Sequence, residues 1–313
     1  MTMTILLATD FAGDELTQWL TALRSALPGE TLITERASCD AASVDIAIVA
    51  NPPAGALAGL PNLKLIQSLW AGVDKLLRDA SVPVDVPLAR MVDPAMNAAM
   101  AETALWAVLS LQRGFFAYAQ QQRVAQWQAH PQRRADETRV TVLGLGQMGR
   151  AVAQRLASNG YRVSGWSTRE TQIDGIDARC GDAQLPRVLA DAQIAINLLP
   201  LTAATTGLFD AGTFARMPRG ASFVNLARGA HVVDADLLAA LASGQLQHAV
   251  LDVFATEPLP ASHPFWSHPQ VTLLPHVAAQ TDPRSAAQVA ACNVRALREG
   301  QALADLVDRR RGY

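Results

Sequence analysis

Three side chains in this 313-residue sequence are suited to moving a proton and holding an anion, and each follows an apolar stretch that reads as a strand. Arg228 lies in Asn225-Leu226-Ala227-Arg228-Gly229, after Ser222–Asn225. Glu257 lies in Asp252-Val253-Phe254-Ala255-Thr256-Glu257-Pro258, after His248–Asp252. His276 lies in Leu274-Pro275-His276-Val277-Ala278, after Val271–Leu274. Parallel sheets carry their chemistry at the carboxyl ends of strands. An imidazole beside a carboxylate can donate or accept a proton near neutral pH, and a guanidinium presents the fork that matches a carboxylate. Of the six histidines, only His276 combines a strand terminus with a nearby acid candidate. His263 and His268 fall in a Pro-rich loop, His231 and His248 flank a helix, and His130 sits in a connecting arm. A lone histidine is usually structural, so the weight falls on three such residues at one sheet edge.

A second constellation stands upstream. Val140–Leu143 is followed by Gly144-Leu145-Gly146-Gln147-Met148-Gly149, then by helical spacing to Gly160 and a further strand at Arg162–Trp166. In such a motif the first glycine allows a tight turn, the second lets backbone approach a pyrophosphate, and the third lets helix and strand pack closely. The helix N-terminus then offers N–H groups to the phosphates. The glycine pattern alone is weak; strand before and helix after make it a dinucleotide site.

The end of the second strand selects the dinucleotide. An NAD site places an acid there, about 20 residues beyond the glycines, for the ribose 2′-hydroxyl. Here Ser167-Thr168-Arg169 follow Trp166, with no carboxylate. A guanidinium pairs with a 2′-phosphate that a carboxylate would repel, so NADPH is expected over NADH, with NAD a possible lesser cofactor.

These residues need a frame. Thr4–Ala8, Leu32–Thr34, Asp45–Val49, Leu65–Leu69 and Val86–Ala89 read as strands, with a helix over Glu15–Leu27, which predicts a small flavodoxin-like parallel domain. Strands at Val140–Leu143, Arg162–Trp166, Gln193–Asn197, Ser222–Asn225, His248–Asp252 and Val271–Leu274 number six, as in a doubly wound Rossmann domain. Asp93-Pro94 opens a long helix toward Gln121, and Thr281-Asp282-Pro283 opens another ending near Gly300. The expected fold class is therefore α/β, with a dinucleotide domain (96–282) inserted into a smaller substrate domain (1–95 with 283–313). Leu69-Trp70-Ala71-Gly72 ends the fourth strand; by itself it reads as a plain tight turn. Residues 122–138 form a connecting arm in which Arg133 and Arg134 read as a solvated face.

Composition sets limits. Half the residues are hydrophobic and the formal net charge is −2, which points away from nucleic-acid partners. No apolar run reaches membrane-spanning length, and no secretory leader is expected. Cys39, Cys180 and Cys292 show neither metal-ligand nor CxxC spacing, so no metal is expected and a reducing cytoplasm is.

Taken together, the motifs resemble those of the D-2-hydroxyacid dehydrogenase family over essentially the whole chain. They are Trp70-Ala71-Gly72-Val73-Asp74, Gly144 to Gly149, Leu199-Pro200-Leu201-Thr202, Asn225 to Gly229, Asp252-Val253-Phe254 with Glu257-Pro258-Leu259-Pro260, and Pro275-His276-Val277-Ala278-Ala279. The resemblance implies reduction of a 2-oxo acid with His276 as general acid, Glu257 as its orienting partner, and Arg228 on the substrate carboxylate. It also implies amides at Ala71 and Gly72 as a carboxylate cradle, Asp252 as an anchor of the nicotinamide carboxamide, and Pro200, Thr205 and Leu226 along the cofactor channel. Within the family the similarity runs to reductases of glyoxylate and hydroxypyruvate, and it implies a homodimer joined through an arm near residues 100–140. Trp127 falls in that arm, where ordinary interface or core packing and a reach toward a partner's site are equally open. Trp70 and Met96 read as pocket or core. Formate dehydrogenases share the fold but pair the histidine with an amide, which Glu257 argues against. Another 2-hydroxyacid dehydrogenase, or a non-enzymatic dinucleotide sensor on this fold, is the alternative.

Overall fold

The computed structural model describes residues 2–313. The chain divides into two compact units, Met1–Ala95 with Thr281–Tyr313, and Met96–Gln280.

The first unit is built on five parallel strands: β1 (Thr4–Thr9), β2 (Thr31–Ile33), β3 (Ile46–Ala50), β4 (Leu65–Ser68) and β5 (Leu88–Ala89). Their order, β2-β1-β3-β4-β5, is that of flavodoxin-like sheets. Ile46-Ala47-Ile48-Val49-Ala50 is buried along its whole length, as a strand covered on both faces requires. The helices Gly13–Ala26 and Pro283–Arg298 pack on each other. Asp282 caps the second of these, its Oδ1 accepting the Arg284 N–H at 2.9 Å, with Pro283 opening the first turn. The buried amide of Gln67 accepts from Asn293 Nδ2 at 2.7 Å, which satisfies a polar pair inside the unit. The C-terminal tail covers the exposed edge of β5, with Val307 N–H donating to Leu88 O at 2.8 Å.

The second unit holds seven parallel strands: β6 (Arg139–Leu143), β7 (Arg162–Ser167), β8 (Asp177–Cys180), β9 (Ile194–Asn197), β10 (Ala221–Asn225), β11 (Leu246–Leu251) and β12 (Val271–Leu273). The order is β12-β11-β10-β9-β6-β7-β8. Counted from β6, the first six fall in the doubly wound order 3-2-1-4-5-6. This corrects the expected membership: the third place belongs to β8, and Val271–Leu273 is a seventh strand. Asp177-Ala178-Arg179-Cys180 carries no apolar alternation because it is an edge strand whose residues stay largely exposed; its ladder to β7 makes it a strand. Alternate residues of the central strands feed two separate cores. Val140, Val142, Ile194 and Ile196 enter one, while Leu143, Ala195, Phe223 and Ala249 enter the other. The expected single helix from Asp93 to Gln121 is two, Pro94–Arg113 and Phe115–Arg123. Gly114 between them takes the left-handed conformation (φ +71°), which ends the first helix.

Candidate active site

The glycine loop joins β6 to the helix Gln147–Ser158, at the point where the strand order reverses between β6 and β9. Two of its glycines are demanded by the protein itself. Gly144 has φ +98°, and a Cβ there would meet Leu198 O at 2.6 Å; one on Gly149 would meet Gly144 O at 1.7 Å. Gly146 is different. Its backbone (φ −71°, ψ −165°) suits any residue, and a Cβ would meet nothing within 4 Å. Protein packing therefore gives no reason for glycine at 146, whereas close approach of a pyrophosphate does. The helix that follows has no side-chain cap and no acid in its first turn, leaving its N–H groups and positive end for an anion. These features fit a dinucleotide. Gln147 is exposed beside the loop, and Met148 packs partly into the core.

At the end of β7 the Ser167 hydroxyl donates to the Arg169 carbonyl, and Thr171 closes on the same oxygen. Ser167 thus shapes the loop with its own hydrogen. Thr168 and Arg169 are exposed, and the Arg169 guanidinium has no partner among the described residues.

The three candidate catalytic residues lie on turns that pack against one another. A Cβ on Gly229 would stand 1.8 Å from the Phe254 carbonyl carbon, so the Arg228 turn lies directly on the Phe254–Glu257 turn. There Phe254 N–H donates to Glu257 Oε1 at 2.9 Å, and Glu257 Oε2 lies 2.8 Å from His276 Nδ1. A carboxylate can only accept, so Nδ1 carries the hydrogen. The His276 side chain is half exposed and that of Glu257 about a third. Asp252 holds the histidine's turn from beneath. Its carbonyl accepts His276 N–H at 2.8 Å, Oδ1 accepts Val277 N–H at 2.7 Å, and Oδ2 accepts Ala278 N–H at 3.0 Å. Burial pushes the Asp252 carboxyl up, and those two N–H donors oppose the shift.

The remaining candidates sort by what their side chains touch. Thr205 is buried and folded into its own turn, with Oγ1 donating to Pro200 O at 2.7 Å and accepting from Thr202 N–H at 2.9 Å. Leu226 is a core residue, as is Met96. Ala71 and Gly72 lie in the smaller unit, after Ser68 Oγ accepts Trp70 N–H at 3.0 Å, and their own amides bond no described protein acceptor. Trp70 packs edge-on to Phe11 and Trp19. Trp127 is fully exposed. His248 lies within β11, its ring stacked on Phe116 of the helix Phe115–Arg123. Sequence reading passed over Asn197 and Asn225, buried amides paired in register at the ends of β9 and β10. The available signal was a polar residue closing each of two adjacent apolar strands. Among the described residues no group of His, Cys, Asp and Glu is arranged to hold a metal, and no helix is long and apolar enough to cross a membrane.

Known proteins are similar to this chain over most of its length. Residues 105–278 match the model for the D-isomer specific 2-hydroxyacid dehydrogenase NAD-binding domain. Glyoxylate/hydroxypyruvate reductase A from Yersinia enterocolitica is 40% identical over 304 residues, 96% of this chain and 97% of that protein. A D-isomer specific 2-hydroxyacid dehydrogenase from Xanthobacter autotrophicus Py2, solved with NADPH and MES, is 39% identical over the whole of both chains, with a TM-score of 0.95. An NADPH-dependent glyoxylate/hydroxypyruvate reductase from Sinorhizobium meliloti, solved with NADP and sulfate, is 32% identical over the same extent, with a TM-score of 0.93. The chain belongs to the D-isomer specific 2-hydroxyacid dehydrogenase family.

Proposed function

We propose that this protein reduces small 2-oxo acids with NADPH, turning glyoxylate into glycolate and hydroxypyruvate into D-glycerate. The observation that carries the reading is the 2.8 Å contact of His276 Nδ1 with Glu257, on a turn packed against that of Arg228 at the carboxyl edge of a dinucleotide-type sheet. The reduced nicotinamide, when bound, supplies a hydride to the carbonyl carbon. Gly144, Gly146, Gly149 and the first N–H groups of the helix at Gln147 would hold the cofactor's pyrophosphate, and Ser167, Thr168 and Arg169 would hold its adenosine ribose. His276 Nε2 delivers a proton to the carbonyl oxygen as its double bond becomes a single bond. Glu257 keeps Nε2 aimed and offsets the positive charge the ring carries before the proton leaves. Arg228 pairs with the substrate carboxylate and polarises the carbonyl.

Two finer points belong to the same reading. The protein works in the cytoplasm, where its three free cysteines stay reduced. It pairs with a second copy through the segment that exposes Trp106, Phe115, Val124 and Trp127, a density of large apolar side chains that solvent does not favour. Light scattering should give twice the chain mass.

The decisive assay follows NADPH and NADH oxidation with a panel of 2-oxo acids. Turnover of glyoxylate and hydroxypyruvate, faster with NADPH, is the expected result. Binding of NADPH with no turnover of any acid would favour a sensor, and preference for a bulky acid or for NADH would move the assignment elsewhere in the family.

A further inference from the structure

His231 is wholly buried at the end of the turn Gly229–His231, and nothing in the reaction described above uses it. Its ring nonetheless sits in a closed polar network. Asn197 and Asn225 are register partners at the ends of β9 and β10. Asn197 Nδ2 donates to Asn225 Oδ1 at 3.0 Å and lies 2.8 Å from His231 Nδ1; Asn197 Oδ1 accepts Leu199 N–H at 3.1 Å. Asn225 Oδ1 also accepts Ala227 N–H at 3.2 Å, and Asn225 Nδ2 donates to the Arg228 carbonyl at 2.9 Å. His231 Nε2 lies 3.2 Å from Pro200 O.

The donor count fixes the tautomer. An amide nitrogen has two hydrogens and no acceptor capacity, so His231 Nδ1 must accept from Asn197. The ring hydrogen is then on Nε2, where the Pro200 carbonyl accepts it. A neutral, Nε2-protonated ring satisfies both contacts, and no other form does. The network therefore reaches two turns at once. One carries Arg228, gripped through its own carbonyl; the other is the Leu199–Pro200 turn, against which the glycine loop packs at Gly144. Buried polar groups in such a network hold geometry, because a displaced member leaves a partner unsatisfied in a low-dielectric interior.

We propose that His231 is a positioning residue that sets the substrate-binding Arg228 turn and the cofactor-side Pro200 turn relative to each other through Asn197 and Asn225. This rests on the reductase reading above for the role of Arg228. A mere space-filling role makes a different forecast: loss of the ring would lower the amount of folded enzyme without altering the affinity of what remains.

The test compares His231→Gln, His231→Asn and His231→Leu. Glutamine can accept from Asn197 through its oxygen and donate to Pro200 through its nitrogen. Asparagine has the same groups on a stem one methylene shorter and cannot reach both. KM and kcat for glyoxylate and hydroxypyruvate, the NADPH dissociation constant by fluorescence, and the melting temperature are read for each. His231→Asn and, where it folds, His231→Leu should raise both the 2-oxo acid KM and the NADPH dissociation constant about tenfold or more, while His231→Gln stays within about threefold of the parent. Equal values for Gln and Asn variants, or losses confined to kcat in proportion to folded protein, would overturn the proposal. A parent protein that binds NADPH but reduces neither acid defeats the functional reading alone; the NADPH constants of the variants then still decide this one.

Discussion

The carbonyl of Asp252 accepts the backbone N–H of His276 at 2.8 Å, and the Asp252 carboxylate takes the next two amides of the same turn. His276 itself has φ +57°, a left-handed conformation that a residue with a Cβ adopts only at some cost. One buried aspartate thus holds His276 in a conformation it would otherwise leave. Replacing Asp252 with Asn puts an NH₂ where one oxygen now accepts, so a backbone N–H loses its acceptor. Such a charge-assisted bond is worth about 1.5–3 kcal/mol. The Asp252→Asn variant should lose about that much unfolding free energy in urea, and its kcat should fall at least tenfold. Unchanged kcat would show that the histidine needs no such anchor.

The three glycines of the loop make a sharper contrast. An alanine at Gly149 would drive a methyl into the Gly144 carbonyl, whereas one at Gly146 meets only open space at an ordinary φ. Gly149→Ala should therefore destabilise or unfold the larger unit. Gly146→Ala should keep the parent's melting temperature to within a degree or two and weaken NADPH binding at least tenfold. Parent-like NADPH affinity in the Gly146 variant would mean that no phosphate comes close to that backbone.

How much of this could be read beforehand depends on whether a signal is local. The glycine loop, Arg228, Glu257 and His276 were legible because their types are rare at strand ends and the intervening apolar runs place them there. The strand β8 was not, since Asp177-Ala178-Arg179-Cys180 is held by its ladder to β7 and buries little. Gly114 stood in plain view, but a glycine inside a helical pattern does not announce a left-handed φ. His231 carries no local signal, because its partners, Asn197 and Pro200, lie 34 and 31 residues away. Hydrogen-bond closure of that kind exists only in three dimensions.

Arg169 tests cofactor choice. Its guanidinium is exposed and unpartnered among the described residues, so a 2′-phosphate is free to take it. Arg169→Ala should raise the KM for NADPH about 10- to 100-fold, the equivalent of about 1.5–3 kcal/mol, and leave that for NADH within about threefold. Equal effects on the two cofactors would assign Arg169 to loop structure.

His276 and Arg228 should fail in different ways. His276→Gln removes the proposed proton donor, so kcat should drop about 100- to 10,000-fold with little change in the KM for the 2-oxo acid. Arg228→Lys keeps the charge but loses the fork, so the KM should rise strongly and turnover slow as well. Interchanged patterns, or near-parent rates in either variant, would reassign the two roles.

His248 contributes to the loss of stability in acid. Burial pushes this histidine from the ordinary value of 6.5 to about 4, with the charge of His268 adding to the shift. Its ring stacks on Phe116 at 4.7 Å, and Nε2 lies 2.9 Å from Thr272 Oγ1. The folded protein keeps the ring neutral where the unfolded chain would protonate it, so the unfolded state binds more protons below pH 6.5. Stability from this group is complete above that value and is lost as pH falls toward 4, by about 3 kcal/mol in all. Urea unfolding between pH 7 and 4 should show that decline in the parent. In His248→Gln, which keeps a polar group for Thr272 but cannot titrate, the decline should be smaller by up to that amount, corresponding to about one proton fewer taken up on unfolding. Parallel curves for the two proteins would mean that His248 is reached by protons in the folded state as readily as in the unfolded one.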